Sequence, residues 1–246
     1  MLDSKKETER IVRWLRRRVK QAGVKGLIMG LSGGIDSSVV GVLAKRAFPE
    51  NVRGLMLPCH SIAQDCADAK RVAQQFSIPY QVVSLDTVFE AFLNLLGESY
   101  QKPLPLYLAN LIPRLRMGTL YTFAQKTSYL VCGSGNRSEI TVGYFTKYGD
   151  GGVDLLPIAH LVKSEVRELA GYLGLPEDII RKAPSAGLWE GQTDEKEMGI
   201  TYPTLDRFIK TGVCDPASLP VIQRLINGSE HKRKPPPVLR SKDSQL

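Results

Sequence analysis

GLIMGLSGGIDSSVVGVLAKRAF, residues 26–48, is the stretch from which the rest of the chain can be read. The apolar run 26–31 reads as a buried strand, 39–48 as a helix, and LSGGIDSS, residues 31–38, as the turn between them. Paired glycines let backbone N–H groups converge on one point with no side chain intervening. A helix opening on the serines adds unpaired N–H groups and the positive end of its dipole. Such a turn is a receptacle for an anion, and phosphate fits it. The lysine that a GxxxxGK[ST] loop sets on its phosphates is missing, and Asp36 takes its place. A carboxylate beside phosphates requires a cation between them. Mg2+, which binds through one or two carboxylates plus phosphate oxygens, has the right chemistry. The loop therefore suits a magnesium pyrophosphate better than a transferable γ-phosphoryl group.

Strand-like and helix-like segments alternate outward from this turn: 26–31, 37–48, 52–57, 62–76, 80–84 and 87–97. That alternation predicts an α/β fold, a parallel sheet with helices on both faces and ligands at the carboxyl ends of its strands. Upstream, Ser4 followed by Glu7 predicts a capping box, and Ile11, Trp14, Leu15 and Val19 form the stripe of an amphipathic helix running to about Gln21, arginines outside. Downstream, 101–105 is a proline-containing break and 106–126 a long helix that Pro113 kinks or restarts. Residues 129–133 form another strand, and 133–152 a glycine-rich passage whose length points to function. A helix over 161–173, an irregular stretch over 184–201 and two short helices over 202–210 and 216–226 complete one domain, 1–246, with a flexible tail from about 235.

Composition narrows the classes. A chain of 246 residues, 43% hydrophobic, buries a full core, and 33 basic against 25 acidic residues give a net charge of +8. That charge suits a nucleotide, a nucleic acid or a basic surface. Cys59, Cys66, Cys132 and Cys214 form no C-x-x-C pair and read as small hydrophobes rather than metal ligands. The charged N-terminus lacks a signal-peptide core and no apolar run reaches membrane-span length, so the expected compartment is the cytoplasm, with no membrane partner.

A second signal lies in GSGNRSEITVGYFTKYGDGGVDLLPIAHLVKSEVRELA, residues 133–170. GSGN follows a strand directly, as LSGG does, which sets it at the same sheet edge and puts Glu139 near the phosphates as a second carboxylate; the alternative is an ordinary helix-opening glutamate. Lys163 begins a helix, where the dipole disfavours a cation. Its presence suggests an anion alongside, with a solvated lysine as the competing reading.

The SGGxDS loop, whose five fixed residues arise by chance at about one position in a million, resembles that of the ATP pyrophosphatase superfamily, as does LVKSEVREL. YFTKYGDGG, with GSGNRSE before it and GLWEGQTDE after it, is similar to ammonia-dependent NAD synthetases, and the match runs over about residues 28–201. The resemblance implies a Rossmann-like fold of the adenine nucleotide alpha hydrolase type, a homodimer, and amidation of deamido-NAD by way of an acyl-adenylate. It implies that Gly30, Leu31, Ser32, Gly33, Gly34, Ile35, Asp36 and Ser37 hold the ATP phosphates, helped by Ser134, Lys163 and Ser185, and that Asp36 and Glu139 bind Mg2+. Arg114, Lys147, Asp154, His231 and Lys232 would hold deamido-NAD, and PRLRM, residues 113–117, is where substrate and subunit interface would meet. Ser134 and Ser185 stand where threonine is common in the family, which keeps the hydroxyl. No protein nucleophile is implied.

Three other readings share the loop. The ATP-binding half of a GMP synthetase lacks YFTKYGDGG. A tRNA thiolase or lysidine synthetase would account for the charge, but thiolases use paired cysteines and no aromatic and basic stacking platform is visible, so no nucleic-acid partner is expected. A non-catalytic nucleotide sensor has no need of both loop acids. With only a few residues before the first helix, no glutamine-hydrolysing domain is expected and free ammonia is the expected nitrogen donor.

Overall fold

A computed structural model describes residues 2–101, 103–185 and 193–239. In chain order the elements are α1 (Ser4–Ala22), β1 (Gly26–Gly30), α2 (Ile35–Ala47), β2 (Val52–Met56), α3 (Ala63–Gln75), β3 (Tyr80–Val82), α4 (Asp86–Leu95), α5 (Leu106–Ala109), α6 (Leu111–Thr127) and β4 (Tyr129–Val131), then α7 (Arg137–Val142), α8 (Lys163–Leu173), α9 (Glu177–Arg181), α10 (Asp194–Met198), α11 (Tyr202–Thr211), α12 (Ser218–Gly228) and α13 (Glu230–Arg233). The strands form one parallel sheet in the order β3-β2-β1-β4. Leu155 adds a single parallel bridge to Cys132 beyond β4.

Both faces of the sheet are covered, because side chains of period two must be buried on either side. Leu27 and Met29 of β1 point into a core with α1, α2, α3, α8 and α9, where Leu15, Leu43 and Leu169 are fully buried. Ile28 points the other way, with Leu55 and Val131, into a core with α4, α5 and α6 that includes Phe89 and Ile112. Helix α2 lies between α1 and α8 and is buried almost all round, from Ile35 to Ala44 apart from Asp36. A third cluster joins α7, α10, α11 and α12 through Val142, Met198, Tyr202, Leu205 and Ile222, and forms a helical layer at the carboxyl end of β4. The expected α/β architecture is the one observed.

Local chemistry departs from expectation in four places. The N-cap of α1 is Asp3, whose carboxylate takes the Lys6 N–H at 3.1 Å; Ser4 is already helical and Glu7 pairs with Arg10 and His160. The long helix over 106–126 is two, α5 and α6, because the chain breaks at Asn110 and Pro113 falls in the first turn of α6, where its missing N–H costs nothing. The passage 133–152 contains a helix, α7, and the irregular stretch 184–201 contains another, α10. Residues 186–192, which include most of GLWEGQTDE, and the end of the tail from 240 lie outside the described residues. The tail has no regular structure from 234 to 239.

Leu43 sits at the centre of the first core. Leu43→Ala is expected to lower the unfolding free energy by about 2–5 kcal/mol, read as a lower urea midpoint at unchanged slope.

Candidate active site

The strand order reverses direction between β1 and β4: the chain moves from β1 outward to β3, then returns to the other side of β1. The loops leaving β1 and β4 diverge there and leave a crevice at the strand ends. Both sequence motifs leave the sheet at this point.

The loop after β1 is held by its own serines. Gly34 N–H donates to Ser32 Oγ (3.3 Å), Ser32 Oγ meets Ser37 Oγ (2.9 Å), and Ser37 Oγ donates back to Gly34 O (3.1 Å), which also accepts from Ser38 Oγ (2.8 Å). The helix starts at Ile35, earlier than the serines suggested, and its N-cap, Gly34, supplies no side-chain cap. The serine hydroxyls therefore close the loop on itself, and the first-turn N–H groups of α2 remain available for an anion. Gly33 has φ +80°, and a Cβ there would overlap the carbonyl of Asp65 at the start of α3. Only glycine fits this position.

The loop after β4 contributes Asn136 and Glu139, which form a reciprocal cap on α7. Glu139 N–H donates to Asn136 Oδ1 (3.0 Å) and Asn136 N–H to Glu139 Oε2 (3.2 Å). Asn136 then spans the crevice, its Nδ2 donating to Asp36 Oδ1 (2.9 Å). The remaining oxygens of the two carboxylates share one cation: Lys163 Nζ donates to Asp36 Oδ2 and, at 3.1 Å, to Glu139 Oε1. Lys163 is only 2% exposed and lies 5.0 Å from the ring of Tyr202. The anion that the position of Lys163 called for is thus the acid pair itself. Burial, together with the neighbouring charge of Asp36, pushes the Glu139 carboxyl up to about 7 even with Lys163 beside it. Burial alone would lower the Lys163 ammonium, but Asp36 and Glu139 more than offset it and raise its pKa. An ordinary helix-opening glutamate would not face a second carboxylate across a buried ammonium; Glu139 opens α7 and completes this cluster.

Four residues that sequence reasoning missed support the cluster. Tyr202 donates to Asp194 Oδ2 (2.9 Å) and touches Glu139 Oε1 (3.4 Å). Asp206, buried in α11, accepts from Ser138 Oγ (2.6 Å) and Ser164 N–H (2.8 Å), tying α7, α8 and α11 together. Asn136 could have been read from its spacing to Glu139, N-x-x-E ahead of an apolar residue. Asp194, Tyr202 and Asp206 carry no local signal.

The crevice opens into a cavity of about 1140 Å3, above the ~300–1,000 Å3 of a single small-molecule site. Of the expected phosphate and metal residues, Gly30, Leu31, Ser32, Gly34, Ile35, Asp36, Ser37, Ser134, Glu139, Lys163 and Ser185 all line it. The expected dinucleotide residues divide. Lys232 lines the cavity and donates to the Gly143 and Phe145 carbonyls, both at 2.9 Å. Arg114, Lys147 and His231 form a chain beside it, Arg114 Nε on Lys147 O (3.3 Å) and Lys147 Nζ on His231 O (2.8 Å). Asp154 is exposed outside the cavity lining, accepting from Val131 N–H (2.7 Å) and Tyr121 OH (3.0 Å). Within PRLRM, Pro113, Arg116 and Met117 line the cavity; Arg116 donates to Leu57 O (3.0 Å) and Ser61 Oγ (3.1 Å), and burial lowers its pKa.

Comparison with known proteins identifies a family and a fold. A family model described as NAD synthase matches residues 7–236. An NH3-dependent NAD+ synthetase from Carboxydothermus hydrogenoformans is 51% identical over 233 residues, covering 94% of this chain and 96% of the relative. Among solved structures, an NMN synthetase from Francisella tularensis superposes with a TM-score of 0.91 at 38% identity, covering 98% of this chain and 100% of that one. An NH3-dependent NAD synthetase from Campylobacter jejuni, solved with a nitrate ion, gives a TM-score of 0.80 at 31% identity over 98% and 100% of the two chains.

Asp206→Ala leaves the Ser138 hydroxyl and the Ser164 N–H buried without their acceptor. It is expected to cost about 2–3 kcal/mol of stability, measured by thermal or urea unfolding.

Proposed function

The chain belongs to the NAD synthase family, and from that premise we propose that it is the ligase that amidates deamido-NAD to NAD with free ammonia, consuming ATP. The carrying observation is the placement of Asp36 and Glu139 around one buried cation position beside a phosphate loop. In the first step the nicotinate carboxylate attacks the α-phosphorus of ATP, the bond to the β-phosphate oxygen breaks, and pyrophosphate leaves with an acyl-adenylate formed. In the second, ammonia adds to the acyl carbon, AMP departs and a proton is lost, giving the amide.

The chain's part is alignment and charge stabilisation. Residues 31–37 seat the leaving pyrophosphate at the N-terminus of α2, with Ser134 and Ser185 reaching the same phosphates. Lys232, with Arg114, Lys147 and His231 beside it, supplies positive charge for the second pyrophosphate, that of deamido-NAD, while Asp154 offers a hydrogen-bond acceptor. Asp36 and Glu139 fit Mg2+: each has one oxygen directed at a common point, now taken by the Lys163 ammonium. Substrate phosphates would complete such a shell. When bound, Mg2+ neutralises the developing charge on the leaving pyrophosphate.

The likeness to the NMN synthetase favours a second reading, in which the acid acceptor is the mononucleotide. One assay separates the readings: deamido-NAD, nicotinate mononucleotide and xanthosine monophosphate are each offered with ATP, Mg2+ and ammonium. NAD, AMP and pyrophosphate are the expected products, with deamido-NAD the preferred acceptor; ADP and phosphate would exclude adenylation. Asp36→Asn is expected to lower turnover at least about a hundredfold, and unchanged turnover at saturating Mg2+ would remove Asp36 from the site.

We also read the enzyme as a cytoplasmic homodimer. Among the described residues no helix is long and apolar enough to cross a membrane. An outward apolar face on α4 and α5, made by Val88, Phe92, Leu95, Leu96, Leu106 and Tyr107, supports burial against a second copy. Leu95, 82% exposed, tests this: Leu95→Asp should shift the sedimentation-equilibrium mass from dimer towards monomer.

A further inference from the structure

The two carboxylates that would hold the metal each have one oxygen already committed. Asp36 Oδ1 accepts from Asn136 Nδ2 and Glu139 Oε2 accepts from the Asn136 N–H. The oxygens left over, Asp36 Oδ2 and Glu139 Oε1, are the ones on Lys163 Nζ. A divalent cation and the lysine ammonium therefore compete for the same pair of atoms. They cannot share it, because like charges at such separations repel strongly where water is excluded.

The displaced ammonium needs another acceptor, and the cluster contains one. Asp194 is 4% exposed, and its Oδ2 is engaged by Tyr202 OH at 2.9 Å. Its other oxygen, Oδ1, is buried without a hydrogen bond of good geometry, and the neighbouring Tyr144 hydroxyl, which donates to Glu197, acts on the same carboxylate. A buried carboxylate oxygen without such a bond is uncommon and unfavourable. The Tyr202 ring lies 5.0 Å from Lys163 Nζ, and the Asp194 charge reaches that ammonium electrostatically.

We propose that Lys163 is an internal placeholder for the metal, neutralising Asp36 and Glu139 while no divalent cation is bound, and that Asp194 receives its ammonium when the cation enters. This rests on the reading of Asp36 and Glu139 as the cation's ligands. Without the placeholder, two carboxylates would face one another across a water-poor crevice, and the loops after β1 and β4 would be pushed apart before ATP arrived. Asp194 is in this scheme a positioning residue: it acts on metal binding through Lys163.

The test is Mn2+ binding to the nucleotide-free full chain, followed by the electron paramagnetic resonance of free Mn2+. Lys163→Met should bind Mn2+ about tenfold more tightly than the wild type, since nothing has to be displaced; equal or weaker binding overturns the proposal. Should that variant not fold without metal, Lys163→Gln, neutral but able to donate to both carboxylates, carries the same readout. Asp194→Asn should weaken Mn2+ binding about tenfold when Lys163 is present and leave it unchanged in the Lys163→Met background. An equal loss in both backgrounds overturns the role given to Asp194. Adding Asp36→Asn to Lys163→Met should abolish tight binding. If Mn2+ still binds tightly there, it is the assignment of Asp36 as a ligand that fails.

Discussion

Everything at the carboxyl edge of the sheet depends on one electrostatic constraint: two largely buried carboxylates from the first turns of different helices, Asp36 of α2 and Glu139 of α7, lie together, and a cation has to lie between them. Lys163 meets that requirement from a third element, α8. The cluster therefore fixes how the loops after β1 and β4 and the start of α8 sit relative to one another. It also leaves a position at which a single positive charge can be exchanged for a divalent one. In the proposed reaction, charge supplied from three separate stretches of chain suits a glycine-rich turn to a pyrophosphate leaving group.

The fold delivers these stretches to one place through the geometry of the parallel sheet. Because β1 lies between β2 and β4, the connections leaving β1 and β4 set off separately, one into α2 and the other into α7, and leave the space between their first turns open. The helical layer of α7, α10, α11 and α12 then closes one side of that space. Its own apolar cluster is small, and buried polar ties through Asp206 and Tyr202 hold it to the cation cluster as much as hydrophobic contact does. The basic segment near the C-terminus belongs to this layer. Lys232 holds the Gly143 and Phe145 carbonyls, and Arg233 donates to Ser229 Oγ at 2.6 Å and to Ile226 O at 2.6 Å, so what reads in sequence as a solvated basic run is docked against the site.

The arrangement also suits the proposed two-step ligation, which calls for no protein nucleophile. Adenylation and ammonolysis both need a phosphate or carboxyl group held in line and charge withdrawn from the group that departs. Loop N–H groups, a helix N-terminus, a metal-competent acid pair and a rim of lysine and arginine are suited to both. Cys59 and Cys132 are buried free thiols; burial pushes Cys59 up to about 11 and raises Cys132 as well, far from the thiolate character a nucleophile needs.

By itself the sequence determined the alternation of strands and helices from β1 to α4, the parallel sheet and the glycine-rich turn after β1, because hydrophobic period, glycine pairs and a misplaced acid are local signals. It also brought Glu139 and Lys163 towards Asp36, by their position after the next strand and at the start of the next helix. The tertiary structure decided what those residues do to one another. That Lys163 is a counter-ion between two carboxylates, that Asn136 links the loops, and that Asp194, Tyr202 and Asp206 stand behind them all follow from packing between segments far apart in the chain. The same holds for Arg116 reaching the cavity where Arg114 was expected, since helical phase and the course of the loop after β2 set which arginine of PRLRM turns inward. Pairings across the fold have no local pattern to read; they arise because buried charges must find partners, and only the folded chain settles which are within reach.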